Sequence, residues 1–390
     1  MERKKVSELA KQIRGVSYKT EDLHENLDEN SVTLLRANNI FEGRINFDDV
    51  VYVDKSRVAR EQYLCKGDIL VCASSGSKQL VGKAASFNFD TECTFGAFCK
   101  VVRPNQDVAN YLSMYFQSNA YRRKISEVAI GANINNIRNE HIDALELPIG
   151  SNAENEKVVA SFSLLQQIID GRKQQLHKLD DLIKARFVEL FGDESNPYNF
   201  PIVTIEDVAS VQVGVVIKPA QYYTDAGHGI KTFRSLNIGP MHIKDTDWVY
   251  FSEEGNRKNQ KSVLNENDLV IVRSGAPGTA CVITKEYAGC NAVDIIIARP
   301  DLDKVNPYYL CQYTNLPHGK KQIEEGTGGA AQQHFNVGKY NKIRLTLPPL
   351  DQQLKFEKFV NQTDKSKVVV QKALDEAQTL FDSLMQEYFG

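Results

Sequence analysis

The sequence predicts an α+β chain: two pseudo-symmetric mixed α/β domains separated by two long helices that pair with each other. Three observations lead there. The second half of the chain restates the first, each half opens with short strands and short amphipathic helices, and each half closes with a heptad-patterned helix.

The repeat is collinear over both halves. Arg36-Ala37-Asn38-Asn39-Ile40 is answered by Arg234-Ser235-Leu236-Asn237-Ile238, and Val51-Tyr52 by Val249-Tyr250. Gly67-Asp68-Ile69-Leu70-Val71 matches Asn267-Asp268-Leu269-Val270-Ile271, each followed by a short loop with Ser74 or Ser274. Further on, Arg103-Pro104 pairs with Arg299-Pro300, Tyr111-Leu112 with Tyr309-Leu310, Leu147-Pro148 with Leu347-Pro348, and Phe191-Gly192 with Phe389-Gly390. Isolated matches arise by chance; an ordered series of them points to an internal duplication.

Within each half, Asp68 to Cys72, Asp268 to Val272 and Ala292 to Ala298 are short, apolar, β-branched runs bounded by turn residues, which predicts strands. Ala109 to Phe116 and Pro307 to Tyr313 carry aromatic and leucine positions at helical spacing. The closing helices are the clearest local pattern. Val158, Phe162, Leu165, Ile169, Arg172, Leu176, Leu179, Ile183, Arg186 and Leu190 alternate spacings of four and three, a heptad seam. Phe356, Val360, Thr363, Lys367, Val370, Leu374, Ala377, Phe381, Leu384 and Tyr388 repeat that spacing. Arg172 and Arg186 interrupt one seam, Thr363 and Lys367 the other, so neither helix offers an unbroken apolar stripe and pairing the two is the natural solution. A homodimeric coiled coil or a core helix is the alternative.

Composition sets limits on function. The chain has 390 residues, a net charge of −3 and an ordinary soluble-protein balance of apolar and charged residues. No apolar run has the roughly 18 to 20 residues a membrane helix needs, and an amphipathic stretch follows the charged N-terminus, so a cytoplasmic protein is expected. Cys65, Cys72, Cys93, Cys99, Cys281, Cys290 and Cys311 form no C-x-x-C pair and are odd in number, which suits reduced, buried thiols. A mildly acidic total neither requires nor excludes nucleic acid, because basic loops can be segregated on one face.

The stretch from Gln174 to Asp193, QQLHKLDDLIKARFVELFGD, resembles the central helix of the specificity subunits of type I restriction-modification systems. Leu347-Pro348-Pro349-Leu350-Asp351-Gln352-Gln353 resembles that family's proline-marked lead into its second helix, and Gly67 to Val71 its recurrent strand. Leu147-Pro148-Ile149-Gly150 departs from the pattern, with one proline and no glutamine pair. The resemblance covers essentially the whole chain. It implies a target-recognition domain at 1–149, a spacer helix at 150–193, a second recognition domain at 194–349 and a second helix at 350–390, the helices packed antiparallel. A helix of about 38 residues is roughly 57 Å long, enough to separate two readers by more than one ~34 Å DNA turn. The resemblance further implies double-stranded DNA, two methyltransferase subunits and motor-nuclease restriction subunits as partners, with S-adenosylmethionine, ATP and Mg bound there and no cofactor or metal here.

Base reading needs Arg, Lys, Asn, Gln or Ser at base edges, with cations and amides on phosphates. In the first half the candidates are Arg36, Ser74, Ser75, Lys78 and the loop Gly131 to Arg138, with Asn133, Asn135 and Arg138. In the second they are Arg234, Arg273, Ser274, Lys321 and the loop Gly328 to His334, with Gln332, Gln333 and His334. Arg122-Arg123 and Lys320-Lys321 occupy matching positions and are candidates for phosphate contact. Catalytic motifs are missing. Ser195-Asn196-Pro197-Tyr198 lacks the second proline of the amino-methyltransferase motif and no glycine-rich cofactor loop accompanies it, so it reads as a linker. No phosphate-binding G-x-x-x-x-G-K-[ST] loop and no H-E-x-x-H pair is present. A non-catalytic DNA-specificity subunit is therefore expected. The alternatives are an interaction adapter or decoy that keeps the helices without reading DNA, and an enzyme whose site is assembled across the two halves.

Overall fold

The computed structural model describes residues 2–77, 79–129, 135–327 and 335–390. Lys78, Asn133, Gln332, Gln333 and His334 lie outside the described residues, as do most of the two loops that carry four of them.

Two compact units emerge: Met1–Lys173 with Lys372–Gly390, and Gln174–Gln371. In unit 1, one sheet runs in the order Ala84–Phe87, Asp68–Cys72, Cys99–Pro104, Ala10–Arg14, antiparallel throughout. A second sheet has Cys93–Phe95 parallel to Ser31–Leu35, then Val51–Asp54 and Leu23–His24. Unit 2 repeats both orders: Ala280–Val282, Leu269–Val272, Ile295–Pro300, Ala209–Val213, and Asn291–Ala292, Ile230–Phe233, Val249–Phe251, Tyr223–Thr224. Of the runs expected as strands, Asp68–Cys72 and Leu269–Val272 are central, while the run from Ala292 to Ala298 breaks at Val293-Asp294 into Asn291–Ala292, an edge strand of the second sheet, and the inner strand Ile295–Pro300 of the first. Ile69–Cys72 and Leu269–Val272 are buried on both faces, which is why they read as continuous apolar runs instead of alternating ones.

Each first sheet packs one face on short helices, Ala109–Gln117 and Asn119–Val128 in unit 1, Pro307–Asn315 and Pro317–Thr327 in unit 2. Its other face packs on the second sheet, through Leu70, Val101 and Phe95 in unit 1 and through Val270, Ile297 and Phe233 in unit 2.

The long helices span Asn152–Phe191 and Leu350–Phe389. Ser151 and Glu154 exchange capping bonds at the first start, and Gly192, at φ +78°, ends that helix against Pro197. At the second start, buried Gln353 accepts from the Asn306 amide and donates to Pro348 O, tying the helix to its globular part. Every position of both predicted seams is buried or half-buried.

Within each unit the two helix segments run antiparallel. In unit 1 the Phe162 ring lies 5.2 Å from Phe381 and 6.1 Å from Tyr388; in unit 2 Phe187 lies 5.3 Å from Phe356. The polar breaks find partners across the pair in unit 2: Lys367 Nζ is 2.7 Å from Asp180, and Arg186 lies over the Phe359 ring. The α+β fold with paired antiparallel helices is therefore present, and the intramolecular pairing is the one formed. No helix among the described residues is long and apolar enough to cross a membrane. All seven cysteines are free, and burial pushes the Cys93 and Cys290 thiols up to about 11.

Candidate nucleic-acid interface

The repeated residues build the scaffold. In each unit the arginine that follows an inner strand of the second sheet, Arg36 or Arg234, has its amide bonded to the Oδ1 of a fully buried asparagine, Asn39 or Asn237. Its guanidinium reaches back to the residue thirteen positions on: Nη2 donates to Asp49 Oδ2 at 3.0 Å, or to the Asp247 carbonyl at 2.5 Å. The repeated Asp/Arg pair works the same way. Asp68, 1% exposed, receives two 2.7 Å bonds from Arg103, and Asp268 is met by Arg299 at 3.3 Å. The looser pairing leaves the Asp268 carboxyl above its ordinary range because of its burial.

Arg122 and Lys320, expected as phosphate contacts, are also structural. Arg122 donates to the carbonyls of Val81 and Gln79, and Lys320 to the Pro277 carbonyl and the Thr279 hydroxyl. Each thereby pins the loop that follows the central strand of its unit. Lys321 lines a hollow of about 470 Å³ with Asp193, Glu194, Glu325 and half-buried His318, its ammonium 3.8 Å from Glu194. Lys321 and Arg344 there face three carboxylates.

Another group does converge. In unit 1, Arg36 and Ser74 line one hollow of about 440 Å³ with Asn38 and Phe98, and Arg138 lines a second, of about 530 Å³, with Arg14 and Lys100. The two share Ser17, Ala97 and Cys99, so they flank one turn, Gly96 to Cys99. Ser74 and Ser75 form a short antiparallel pair with Asn136 and Asn135 at its edge. Arg138 is exposed and pairs with Glu140 at 3.3 Å.

Sequence reasoning missed Arg14, Lys100 and Phe98. Arg14 and Lys100 are direct cross-strand partners, a like-charge pairing that is unfavourable in isolation. Burial first, and then the Arg14 charge, hold the Lys100 ammonium below its ordinary value, while Asp143 and Glu140 pull the other way. The alternation of the strands Ala10–Arg14 and Cys99–Pro104 would have placed both cations on one face, had the pairing of those strands been known.

In unit 2 the same place is built differently. Val213 and Ile296 are the register partners that correspond to Arg14 and Lys100. Arg273 follows the central strand where unit 1 has Ala73; its Nη1 is 2.6 Å from Asp294 and its Nε donates to the Phe335 carbonyl. The guanidinium is 14% exposed, so its first role is to fix this corner. Ser274 is half-buried beside it.

No family model matches the chain. It is 28% identical over 402 residues to the StySPI type I restriction enzyme specificity subunit of Salmonella potsdam, covering 98% of this chain and 86% of that one. To the EcoKI specificity subunit of Escherichia coli K12 it is also 28% identical, over 403 residues, with the same coverage. The fold matches the crystal structure of the type I S subunit from M. genitalium, with a TM-score of 0.55 at 15% identity over 100% of this chain and 96% of that one. A chain from a structure of type I restriction-modification complex assembly gives 0.57 at 15% identity, over 100% and 97%. In sequence over 98% of its length, and in fold over all of it, the chain resembles the specificity subunits of type I restriction enzymes.

Proposed function

We propose that this chain is the sequence-reading, non-catalytic subunit of a type I restriction-modification complex in the cytoplasm. Each unit reads one half of an asymmetric, bipartite DNA target. The chain recruits two methyltransferase subunits and the restriction subunits, and S-adenosylmethionine, ATP and Mg act on those partners.

One observation carries the reading: a single scaffold is built twice, and the side chains differ at the equivalent place. Unit 1 presents Arg14, Lys100, Phe98, Ser74 and Arg138, whereas in unit 2 Val213 and the fully buried Ile296 stand in the places of Arg14 and Lys100, beside the Arg273–Asp294 pair. Cations on one face fix phosphates, and unlike side chains beside them select unlike bases. The names of the relatives and of the fold neighbours support this reading. Residues 328–334 and 130–134, outside the described set, belong to it by their position in the sequence, including Asn133, Gln332, Gln333 and His334.

The test is a mobility assay with the chain bound to its methyltransferase partner. The duplex carries the motif methylated in the cells of origin. At physiological salt the complex should hold it at least about a thousandfold more tightly than a scrambled duplex. Equal binding to both duplexes would overturn the reading and favour an adapter that does not read DNA.

A further inference from the structure

Phe98 is the most exposed phenylalanine, tyrosine or tryptophan among the described residues, at 70%. Its backbone is fixed from three sides. The Phe98 carbonyl accepts from the amides of Ala73 and Ser74 at 2.9 and 3.0 Å, the Cys99 amide closes the turn onto Gly96 O at 2.8 Å, and Gly96 donates to Leu35 O. The strand behind it can come no closer: a Cβ on Gly15 would lie 2.2 Å from Gly96 O. A large apolar side chain on a rigid turn in water forgoes the burial that such a ring normally gains.

Its surroundings point to DNA as the occupant. Arg14, Lys100 and Arg138 line the hollow on one side of the turn, and Arg36 and Ser74 the hollow on the other. Against these four cations stand Glu140, paired with Arg138, Asp143, which acts on Lys100, and Asp49, paired with Arg36. The connection in unit 2 carries Asp294 in place of the ring, locked to Arg273, so the ring is no requirement of the scaffold. Among base features, the one that offers an apolar surface to a side chain entering the major groove is the thymine methyl. That groove also admits a two-stranded ribbon such as the Ser74–Ser75 and Asn135–Asn136 pair.

We propose that Phe98 is a specificity-determining residue of unit 1, its ring packing on the 5-methyl group of a thymine while Arg14 and Lys100 hold the adjacent phosphate. The proposal rests on the DNA-reading function above. It adds a base feature and a residue that the repeat cannot reveal, because the two units differ there.

The chain and its Phe98→Ala and Phe98→Leu variants, each assembled with the methyltransferase partner, are titrated with motif duplexes in which each thymine in turn is replaced by deoxyuridine. The exchange removes one methyl group and nothing else. At one thymine of one half-site the wild type should lose about fourfold in affinity, while Phe98→Ala is insensitive there and Phe98→Leu retains part of the sensitivity. Phe98→Ala itself should weaken motif binding by about tenfold or more and leave scrambled DNA unaffected. Equal responses of wild type and Phe98→Ala at every thymine would overturn the proposal. So would a loss shared by motif and scrambled duplexes, which would mark the ring as a wedge between base steps, or a half-site pair without any such thymine. A wild-type complex that does not prefer the motif at all would instead sink the DNA-reading function, and the two failures are distinguishable.

Discussion

At the scale of single residues, what the two units share and what they do not share have different jobs. Arg36 with Asn39, and Arg103 with Asp68, recur because each satisfies buried polar groups at a corner both units must build. Removing Arg103 strands a carboxylate that is 1% exposed, so Arg103→Ala should destabilise unit 1 by about 3 to 5 kcal/mol, measured by chemical denaturation. The methylated motif should not change in cells where enough variant still folds. A loss below 1 kcal/mol would show that Asp68 relaxes into solvent. Matching residues drew attention to Arg36 and Arg234 as base readers because repetition is visible in a sequence. The positions proposed to read bases are hidden by the same logic. Arg14, Lys100 and Phe98 are replaced by Val213, Ile296 and Asp294 in the other half, and Arg14 is brought beside the other two only by strand pairing across more than eighty residues.

At the scale of elements, the long helices were the most legible part of the chain. A seam needs only local periodicity, and each predicted seam position is buried or half-buried. What periodicity could not supply was the division of labour along each helix. The first segment of one helix and the last of the other close the core of unit 1 through Val158, Phe162, Met385 and Phe389; the remaining segments close unit 2 through Ile183, Phe187, Phe356 and Val360. Each helix therefore stabilises both units. Phe162 is 1% exposed against Phe381, Tyr388 and Phe389, and Phe162→Ala should cost about 3 to 5 kcal/mol. Hydrogen exchange should locate the loss in 2–173 and 372–390. Equal loosening of 174–371 would contradict the division. The sheets were legible only in part. The central strands announced themselves as apolar runs, but the parallel pairing of Cys93–Phe95 with Ser31–Leu35 joins segments some sixty residues apart and leaves no local trace.

At the scale of the whole molecule, one scaffold, made twice, is proposed to carry two independent readers. The duplication was legible, and both sheet orders recur strand for strand. The bases each unit would select under the proposed function were not, because pairing between a side chain and a base follows local loop geometry. The most direct measurement is methylome sequencing of cells that carry either this chain or a chimera with residues 200–346 taken from a relative of different specificity, the endogenous gene being deleted in both. The native chain should give an asymmetric bipartite motif. With the chimera, one half of that motif should change while the other half and the spacing stay the same. A change in both halves, or a motif that persists when the gene is deleted and not replaced, would contradict the proposal of two independent readers.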